Sequence, residues 1–286
     1  MSNGFYTLLD RFLGGVRYAP SFQALQLTQN RHRPAFNWFF GVQNPTEDLS
    51  YADIEVAASA KIFQPHTEIL VKQAAHKAAI LPALQTAHCT HFACHGYFDF
   101  DAPLQSALVL AGAKAASDQN SSGNEETFEL SNENINLEMC LSLGEIFGLD
   151  LSQCRLVTLS ACETGLTDFR SITDEYIGLP SSFLYAGSPT VVSSLWTVND
   201  LSTAFLMIEF YQNMRAGNSV VLALNKAQLW LRNVTKVELQ KWFEENQLPL
   251  SATVNINLRR RFYNLPDNAQ PFREPFHWAG FCTIGQ

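Results

Sequence analysis

Two stretches of sequence decide the fold: THFACHG at residues 90–96 and RLVTLSACETG at residues 155–165. Each contains an apolar run of strand length, and each run ends in a reactive side chain with a glycine close by, His95 in the first and Cys162 in the second. Such runs, when helical segments separate them, are typical of strands buried in a parallel sheet. Because the carboxyl ends of parallel strands meet at one edge of the sheet, we expect His95 and Cys162 to lie close together.

The alternation of strand and helix continues outward from these two stretches. Strands are predicted at residues 36–43, 66–71, 90–95, 106–110, 155–161, 190–196 and 278–284. Helices are predicted at residues 49–62, 74–85, 176–186, 201–214, 219–232 and 235–246. Pro82 is expected to end or bend the last turn of its helix. The predicted fold class is α/β, with a mostly parallel central sheet and helices on both faces.

A histidine and a cysteine at neighbouring strand ends suit nucleophilic catalysis. His95 can take the proton of the Cys162 thiol, and the thiolate can attack a carbonyl carbon. Backbone amides near Gly96 and Cys162 can then donate to the oxyanion that forms. Composition alone leaves another interpretation open, in which Cys162 is a small buried hydrophobe and His95 a hydrogen-bonded core residue.

Several long motifs occur in the order found in a known family. The segments THFACHGYFD, LSACETGL, IGLPSSFLYAGSPTVVSSLWTVND and ALNKAQLWL together resemble the CHAT domain, over residues 18–286. The resemblance implies a caspase-hemoglobinase fold, a three-layer sandwich, and a cysteine endopeptidase of clan CD. It assigns His95 as general base and Cys162 as nucleophile, with no third side chain required. The ending TIGQ is similar to cyanobacterial members, the best known of which act in heterocyst differentiation and cell division.

The segment AGSPTVVSSLWTVND also resembles separase, more distantly. That resemblance implies that Asp200 lines the S1 pocket and selects Arg or Lys at P1, with Trp196 in the pocket wall. The alternative is that Asp200, or Asn199 before it, caps the helix that follows. Asp99 and Asp101 come soon after the histidine and could orient a catalytic group, but a solvated loop position is favoured for both.

A metal site is a competing interpretation of the histidine strand. Cys89, His91, Cys94 and His95 fall within seven residues. A strand alternates its faces and advances about 3.3 Å per residue, so these four side chains cannot converge on one zinc ion. We therefore expect no metal and no cofactor.

The charge balance excludes some partner classes. The chain of 286 residues has a net charge of −8, which argues against nucleic acid or an anionic membrane as partner. Residues 176–199 are uncharged, but two prolines and several serines favour a buried helix, turn and strand over a membrane span. Six scattered cysteines indicate a reduced, cytoplasmic protein. The basic run at residues 259–261 is predicted to be a solvated turn or strand edge.

One segment breaks the alternation. Residues 112–138 hold six acidic residues against Lys114 and almost no large apolar side chains. We predict an acidic, flexible insertion in a single CHAT domain, either a lid or processing site or, as the favoured alternative, a variable unstructured loop. The whole chain, residues 1–286, is expected to be a minimal form or the C-terminal portion of a longer protein.

Two functions from different classes follow from the sequence. The first is a regulated cysteine endopeptidase that cleaves a partner protein or peptide after a basic residue. The expected partners are that substrate and a region of tetratricopeptide (TPR) repeats or a regulatory protein. The second is a catalytically silent caspase-like scaffold that binds partner proteins.

Overall fold

The strands form one large sheet and one small sheet. The computed structural model describes residues 8–31, 36–99, 101–114, 135–161, 178–248 and 250–286. Its strands are β1 (Arg17–Tyr18), β2 (Phe39–Gln43), β3 (Thr67–Val71), β4 (Cys89–Ala93), β5 (His95–Tyr97), β6 (Ala107–Val109), β7 (Leu141–Ser142), β8 (Leu156–Ser160), β9 (Thr190–Ser194) and β10 (Phe281–Gly285).

The central sheet has the order β1-β10-β9-β8-β4-β2-β3. The five strands from β9 to β3 are parallel, whereas β10 runs antiparallel to β9 and pairs in parallel with β1. In the sheet, β3 lies on one side of β2 and β4 lies on the other. The direction in which successive strands are added therefore reverses between β2 and β4. Ligands of open α/β sheets bind outside the carboxyl ends of the strands at such a reversal.

Helices cover both faces of the central sheet. They are α1 (Leu8–Arg11), α2 (Phe22–Gln29), α3 (Ala52–Lys61), α4 (Lys77–Thr86), α5 (Leu143–Phe147), α6 (Leu179–Ala186), α7 (Asp200–Arg215), α8 (Val220–Asn233), α9 (Lys236–Asn246), α10 (Ala252–Tyr263) and α11 (Pro275–Trp278). One hydrophobic core lies under α3, α7 and α8, and a second lies under α4, α5 and α6. The molecule is thus a three-layer α/β/α sandwich, which confirms the predicted fold class.

Close packing fixes α3 against the sheet. A Cβ built on Gly41 of β2 would lie 2.7 Å from Cγ1 of Val56 in α3, so only glycine allows this approach. The loop that joins β2 to α3 follows the carboxyl end of β2, so it lies at the carboxyl edge of the sheet.

Several local predictions were wrong. The predicted strand 90–95 is two strands, because the chain turns at Cys94 and His95 opens β5 in the small antiparallel sheet β5-β6-β7. The basic run at residues 259–261 lies in α10 rather than in a turn or strand edge, although its side chains are exposed. Pro82 does not end α4, which continues to Thr86, because it lies on the exposed face, where the carbonyl left without a donor can bond to water.

The acidic insertion is described only at its ends. Lys114 and Ile135 form an antiparallel bridge, and the Asn136 amide donates to the Ala113 carbonyl at 2.8 Å. Residues 115–134 lie outside the described residues, and so does most of the predicted insertion. None of the helices in the described part of the chain has the length and apolar character needed to cross a bilayer.

Candidate functional site

His95 lies at the carboxyl edge of the central sheet. It is two residues beyond Ala93, the last residue of β4, and its side chain is 7% exposed. Ala93 pairs in register with Ser160, the last residue of β8. The last residues of β4 and β8 are therefore neighbours, since adjacent strands are about 4.8 Å apart.

Asp48 contacts His95 directly. It lies in the loop between β2 and α3, and its Oδ1 is 2.9 Å from Nε2 of His95. Its other oxygen, Oδ2, accepts a hydrogen bond from Nζ of Lys114, and Oδ1 also accepts one from the Thr46 hydroxyl at 2.6 Å. Burial opposes ionisation of Asp48, but the bonds from His95, Lys114 and Thr46 outweigh it and hold the pKa of Asp48 well below its usual range. The group facing His95 is thus a carboxylate.

Ala161 links the nucleophile segment to β9. Its carbonyl accepts a hydrogen bond from the hydroxyl of Ser194, the last residue of β9. Cys162, the predicted nucleophile and oxyanion donor, lies outside the described residues. Gly96, the other predicted oxyanion donor, is in β5, where it pairs with Leu108 of β6.

Asp200 is the first residue of α7, and its carboxylate contacts another helix. Asn199 caps α7, since its side chain accepts from the Ser202 amide at 3.2 Å. Asp200 Oδ2 instead accepts from the backbone amide of Tyr51, the residue before α3, at 2.9 Å. Of the two residues considered as the α7 cap, the structure selects Asn199.

Burial raises the pKa of Asp200 to about 7. The Tyr51 amide acts in the opposite direction, and the negative charges of Glu55 and Asp48 add to the rise. Asp200 and Asp48 thus interact electrostatically, and Asp200 is the weaker acid of the two.

Trp196 follows β9 and packs against the closing segment. Its Nε1 donates to the Phe276 carbonyl at 3.4 Å, and a Cβ on Gly280 would lie 3.1 Å from that same nitrogen. Trp196 is therefore held between the end of β9 and the start of β10, four residues before Asp200.

Comparison with known proteins identifies the family. The model of the CHAT domain matches residues 7–286, nearly the whole chain. The chain belongs to the CHAT domain family. The human Tetratricopeptide repeat protein 28 is 24% identical over 265 residues, which cover 87% of this chain and 9% of that protein. This CHAT domain thus spans about a tenth of the length of that curated relative.

Two solved structures match this chain at low sequence identity. In the Saccharomyces cerevisiae separase–securin complex, the match is 16% identical, covers 75% of this chain and 13% of that chain, and has a TM-score of 0.49. In the complex of the pro- and mature domains of RgpB from Porphyromonas gingivalis, the match is 9% identical. It covers 92% of this chain and 52% of that chain, and has a TM-score of 0.48.

The histidine strand of the CHAT domain holds no metal-binding group among the described residues. His91 instead lies in the core, with Nε2 at 2.9 Å from Oε1 of Glu55 and Nδ1 at 3.1 Å from the hydroxyl of Tyr211. This bonding satisfies both ring nitrogens, which explains a histidine in mid-strand without a ligand.

Sequence analysis missed Asp48 as a partner of His95. Asp99, which it did consider, accepts from the amides of Asp101 and Ala102 at 2.8 and 2.9 Å and shapes a loop. A signal for Asp48 was available, because it comes soon after the predicted strand 36–43, and His95 is the last residue of its own predicted strand. The rule that polar groups gather beyond strand ends applies to both.

The raised pKa of Asp200 predicts a pH-dependent stability. Between about pH 4 and pH 7 the folded CHAT domain keeps a proton that the unfolded chain has lost, so the free energy of unfolding falls as pH rises through this window. We expect Asp200→Asn to match the wild type near pH 4 and to exceed its free energy of unfolding by roughly 2 kcal/mol at pH 8. Urea unfolding at both pH values measures this difference.

Asp99→Asn is the matched control for that prediction. Hydrogen bonds from the Ala102 and Asp101 amides lower the pKa of Asp99, the first of them having the larger effect. Asp99→Asn should therefore have a lower free energy of unfolding than the wild type at pH 8. A difference between wild type and Asp200→Asn that stays constant from pH 4 to pH 8 would contradict the assignment.

Proposed function

We propose that this CHAT domain is a cysteine endopeptidase in which His95 is the general base and Cys162 the nucleophile. One observation carries the proposal: a buried histidine, held by a carboxylate, follows β4, and β4 pairs in register with β8, the strand that leads to Cys162. A histidine bound to a carboxylate through one ring nitrogen is oriented for proton transfer through the other. Asp48 bonds to Nε2, so Nδ1 is the atom we assign to the chemistry.

The reaction would run through an acyl-enzyme. His95 accepts the thiol proton of Cys162, and the thiolate forms a bond to the scissile carbonyl carbon while the carbonyl electrons move to oxygen. Amides of Gly96 and Cys162 would donate to that oxyanion. The intermediate then expels the amine, which takes the proton from His95. A water deprotonated by His95 breaks the thioester and restores the thiol.

Asp200 and Trp196 would form the S1 pocket for a P1 Arg or Lys. A carboxylate accepts about four hydrogen bonds, so the Tyr51 and Ser50 amides leave capacity for a guanidinium group. A cationic P1 side chain would also favour the ionised form of Asp200, whose pKa is otherwise raised to about 7. Trp196, fixed through Phe276, would supply an apolar wall for the alkyl part of the side chain.

The partner in this proposal is a protein or peptide substrate, with a TPR-containing region or a regulatory protein controlling access. Lys114 gives regulation a physical basis, because it joins the described end of the acidic insertion to the carboxylate that holds His95. The segment 115–134 could thereby act on the site as a lid or after processing.

Peptide reporters with Arg, Lys or Asp at P1 test this function. We expect the wild type to cleave the Arg reporter at least a hundredfold faster than the Asp reporter, because Asp200 would repel an acidic P1 group. The preference should grow from pH 6 to pH 8 as Asp200 ionises, and Asp200→Asn should lose most of it.

Two outcomes separate the parts of the proposal. Cleavage only after Asp would overturn the S1 assignment and leave the peptidase intact. Absence of any Cys162-dependent cleavage of reporters or candidate proteins would favour the alternative function, a catalytically silent protein-interaction scaffold.

A further inference from the structure

Asn44 closes the loop between β2 and α3. It directly follows β2 and is 5% exposed. Its side chain bonds to the backbone of Leu49 in both directions, since Nδ2 donates to the Leu49 carbonyl and Oδ1 accepts from the Leu49 amide, each at 3.0 Å. Within the loop, the Glu47 amide donates to the Asn44 carbonyl at 3.1 Å. Asp48 therefore lies in a closed loop, one residue before the point where the loop is joined.

Asn44 also contacts the end of β4. Its backbone amide donates to the carbonyl of Ala93 at 2.9 Å, and Ala93 is two residues before His95. One residue thus joins the loop that carries Asp48 to the strand that leads to His95. The 2.9 Å contact between Asp48 Oδ1 and His95 Nε2 spans the two segments that Asn44 connects.

The backbone conformation accounts for the residue type. Asn44 has φ of +48°, in the left-handed region, which asparagine, aspartate and glycine enter more easily than other residues. Glycine has no side chain to reach Leu49, and an ionised aspartate has only acceptors. Asparagine is therefore the residue type that combines this φ with both a donor and an acceptor for Leu49.

Other side-chain bonds hold this loop less firmly. The Thr46 hydroxyl donates to Asp48, but Thr46 belongs to the same loop and cannot fix it relative to β4. The bonds from Gln73 to Glu47 and from Lys114 to Asp48 are exposed, and exposed polar pairs contribute little. The bridge from the buried Asn44 is therefore the contact expected to control where Asp48 lies.

We propose that Asn44 is a positioning residue of the candidate site, which holds the Asp48 carboxylate against Nε2 of His95. An effect of Asn44 on the rate of cleavage rests on the proposed function. Its effect on the contact between Asp48 and His95 does not, so the first test uses no substrate.

Exchange of the His95 ring proton measures this contact. A carboxylate at Nε2 favours the tautomer with its proton on Nε2 and slows exchange of that proton with water. Asn44→Gly keeps the positive φ and the backbone bond to Ala93, and removes only the bridge to Leu49. We expect the ring proton to exchange roughly tenfold faster in Asn44→Gly than in the wild type. Nitrogen-15 NMR measures the exchange, and the His95 signals are assigned by their absence from His95→Ala.

Reporter cleavage tests the consequence for the reaction. Asn44→Gly should lower kcat/KM roughly tenfold and move the acidic limb of the pH–rate profile to lower pH, because the contact with Asp48 is weaker. The double variant Asn44→Gly/Asp48→Asn should have a kcat/KM within about twofold of Asp48→Asn alone, since Asn44 acts only through Asp48. If no Cys162-dependent cleavage occurs, the proposed function fails and the ring-proton exchange alone decides the role of Asn44.

Two further variants complete the test. Gln247→Gly removes a side chain from another residue with positive φ, at the C-terminal end of α9, and should behave like the wild type. Asn44→Asp keeps the bond from the Leu49 amide and should show an intermediate exchange rate, and it replaces Asn44→Gly if thermal unfolding shows that Asn44→Gly is unfolded. Wild-type exchange in the Asn44 variant, equally fast exchange in Gln247→Gly, or a tenfold loss of rate that persists on the Asp48→Asn background would each overturn the proposal.

Discussion

Cys162→Ala and His95→Ala should each lower the rate of reporter cleavage by at least about a thousandfold. A base beside the thiol favours the thiolate, so losing either residue impairs the same step. The double variant should therefore be no slower than the slower single variant, since residues that act as a unit are not additive. Initial rates on the Arg reporter at a fixed pH measure all three.

Alkylation tests the same dyad without a substrate. The five cysteines described are buried, and burial raises the pKa of Cys140, Cys154 and Cys282 to about 11. Iodoacetamide reacts with thiolates, so the native protein should gain one adduct, at Cys162, and gain it more slowly in His95→Ala. Cys140→Ala is the control and should leave cleavage and labelling nearly unchanged. Rapid labelling of a buried cysteine in place of Cys162 would argue against the dyad.

Asp48→Asn should lower kcat/KM by about a hundredfold and move the acidic limb of the pH–rate profile to lower pH. The amide can still contact Nε2 of His95 at the observed 2.9 Å, but it carries no charge to stabilise the imidazolium that forms during proton transfer. We assign Asp48 as a positioning residue, because it acts through His95. The pH–rate profile from pH 5 to pH 9 separates this role from a structural one. A structural role would lower the rate but leave the acidic limb at the same pH.

Lys114→Met should move the acidic limb of the pH–rate profile in the opposite direction to Asp48→Asn. Lys114 bonds to Oδ2 of Asp48 and partly neutralises it, so its removal leaves more negative charge on the side facing His95. The acidic limb should then move to higher pH. Asp99→Asn, a carboxylate bound to loop amides, should not move it. Shifts in the same direction for Asp48→Asn and Lys114→Met would contradict this electrostatic assignment.

Strand and helix order could be predicted because periodicity is local. Apolar runs such as the one before Cys162 can be buried on both faces only in a covered parallel sheet, and the strand ends follow from that. The turn at Cys94 could not be predicted, since the residues on both sides of it favour strands equally well. Only the pairing of His95 with Val109 across the small sheet shows where β4 stops.

The position of His95 near the end of β4 could be predicted from one strand, whereas contacts between distant segments were missed. Asp48 and His95 are 47 residues apart, and neither carries a local sign of the other. Asp200 shows the same difficulty, because its residue type fits a helix cap. The packing of α7 against α3 directs its carboxylate to Tyr51 and leaves the cap to Asn199. Such contacts follow from tertiary packing, which overrides local preference.

The bridge between Lys114 and Ile135 has a consequence for protein engineering. Antiparallel partners lie about 5 Å apart, so the chain leaves and re-enters the domain at adjacent points, as at a hairpin end. Closing such a gap costs little more for a long connection than for a short one. A ligand-binding domain with neighbouring termini could therefore replace residues 115–134. If the termini of the inserted domain separated when its ligand bound, the motion would pull Lys114 away from Asp48. The hydrogen bond of a single carboxylate would then report ligand binding by the inserted domain.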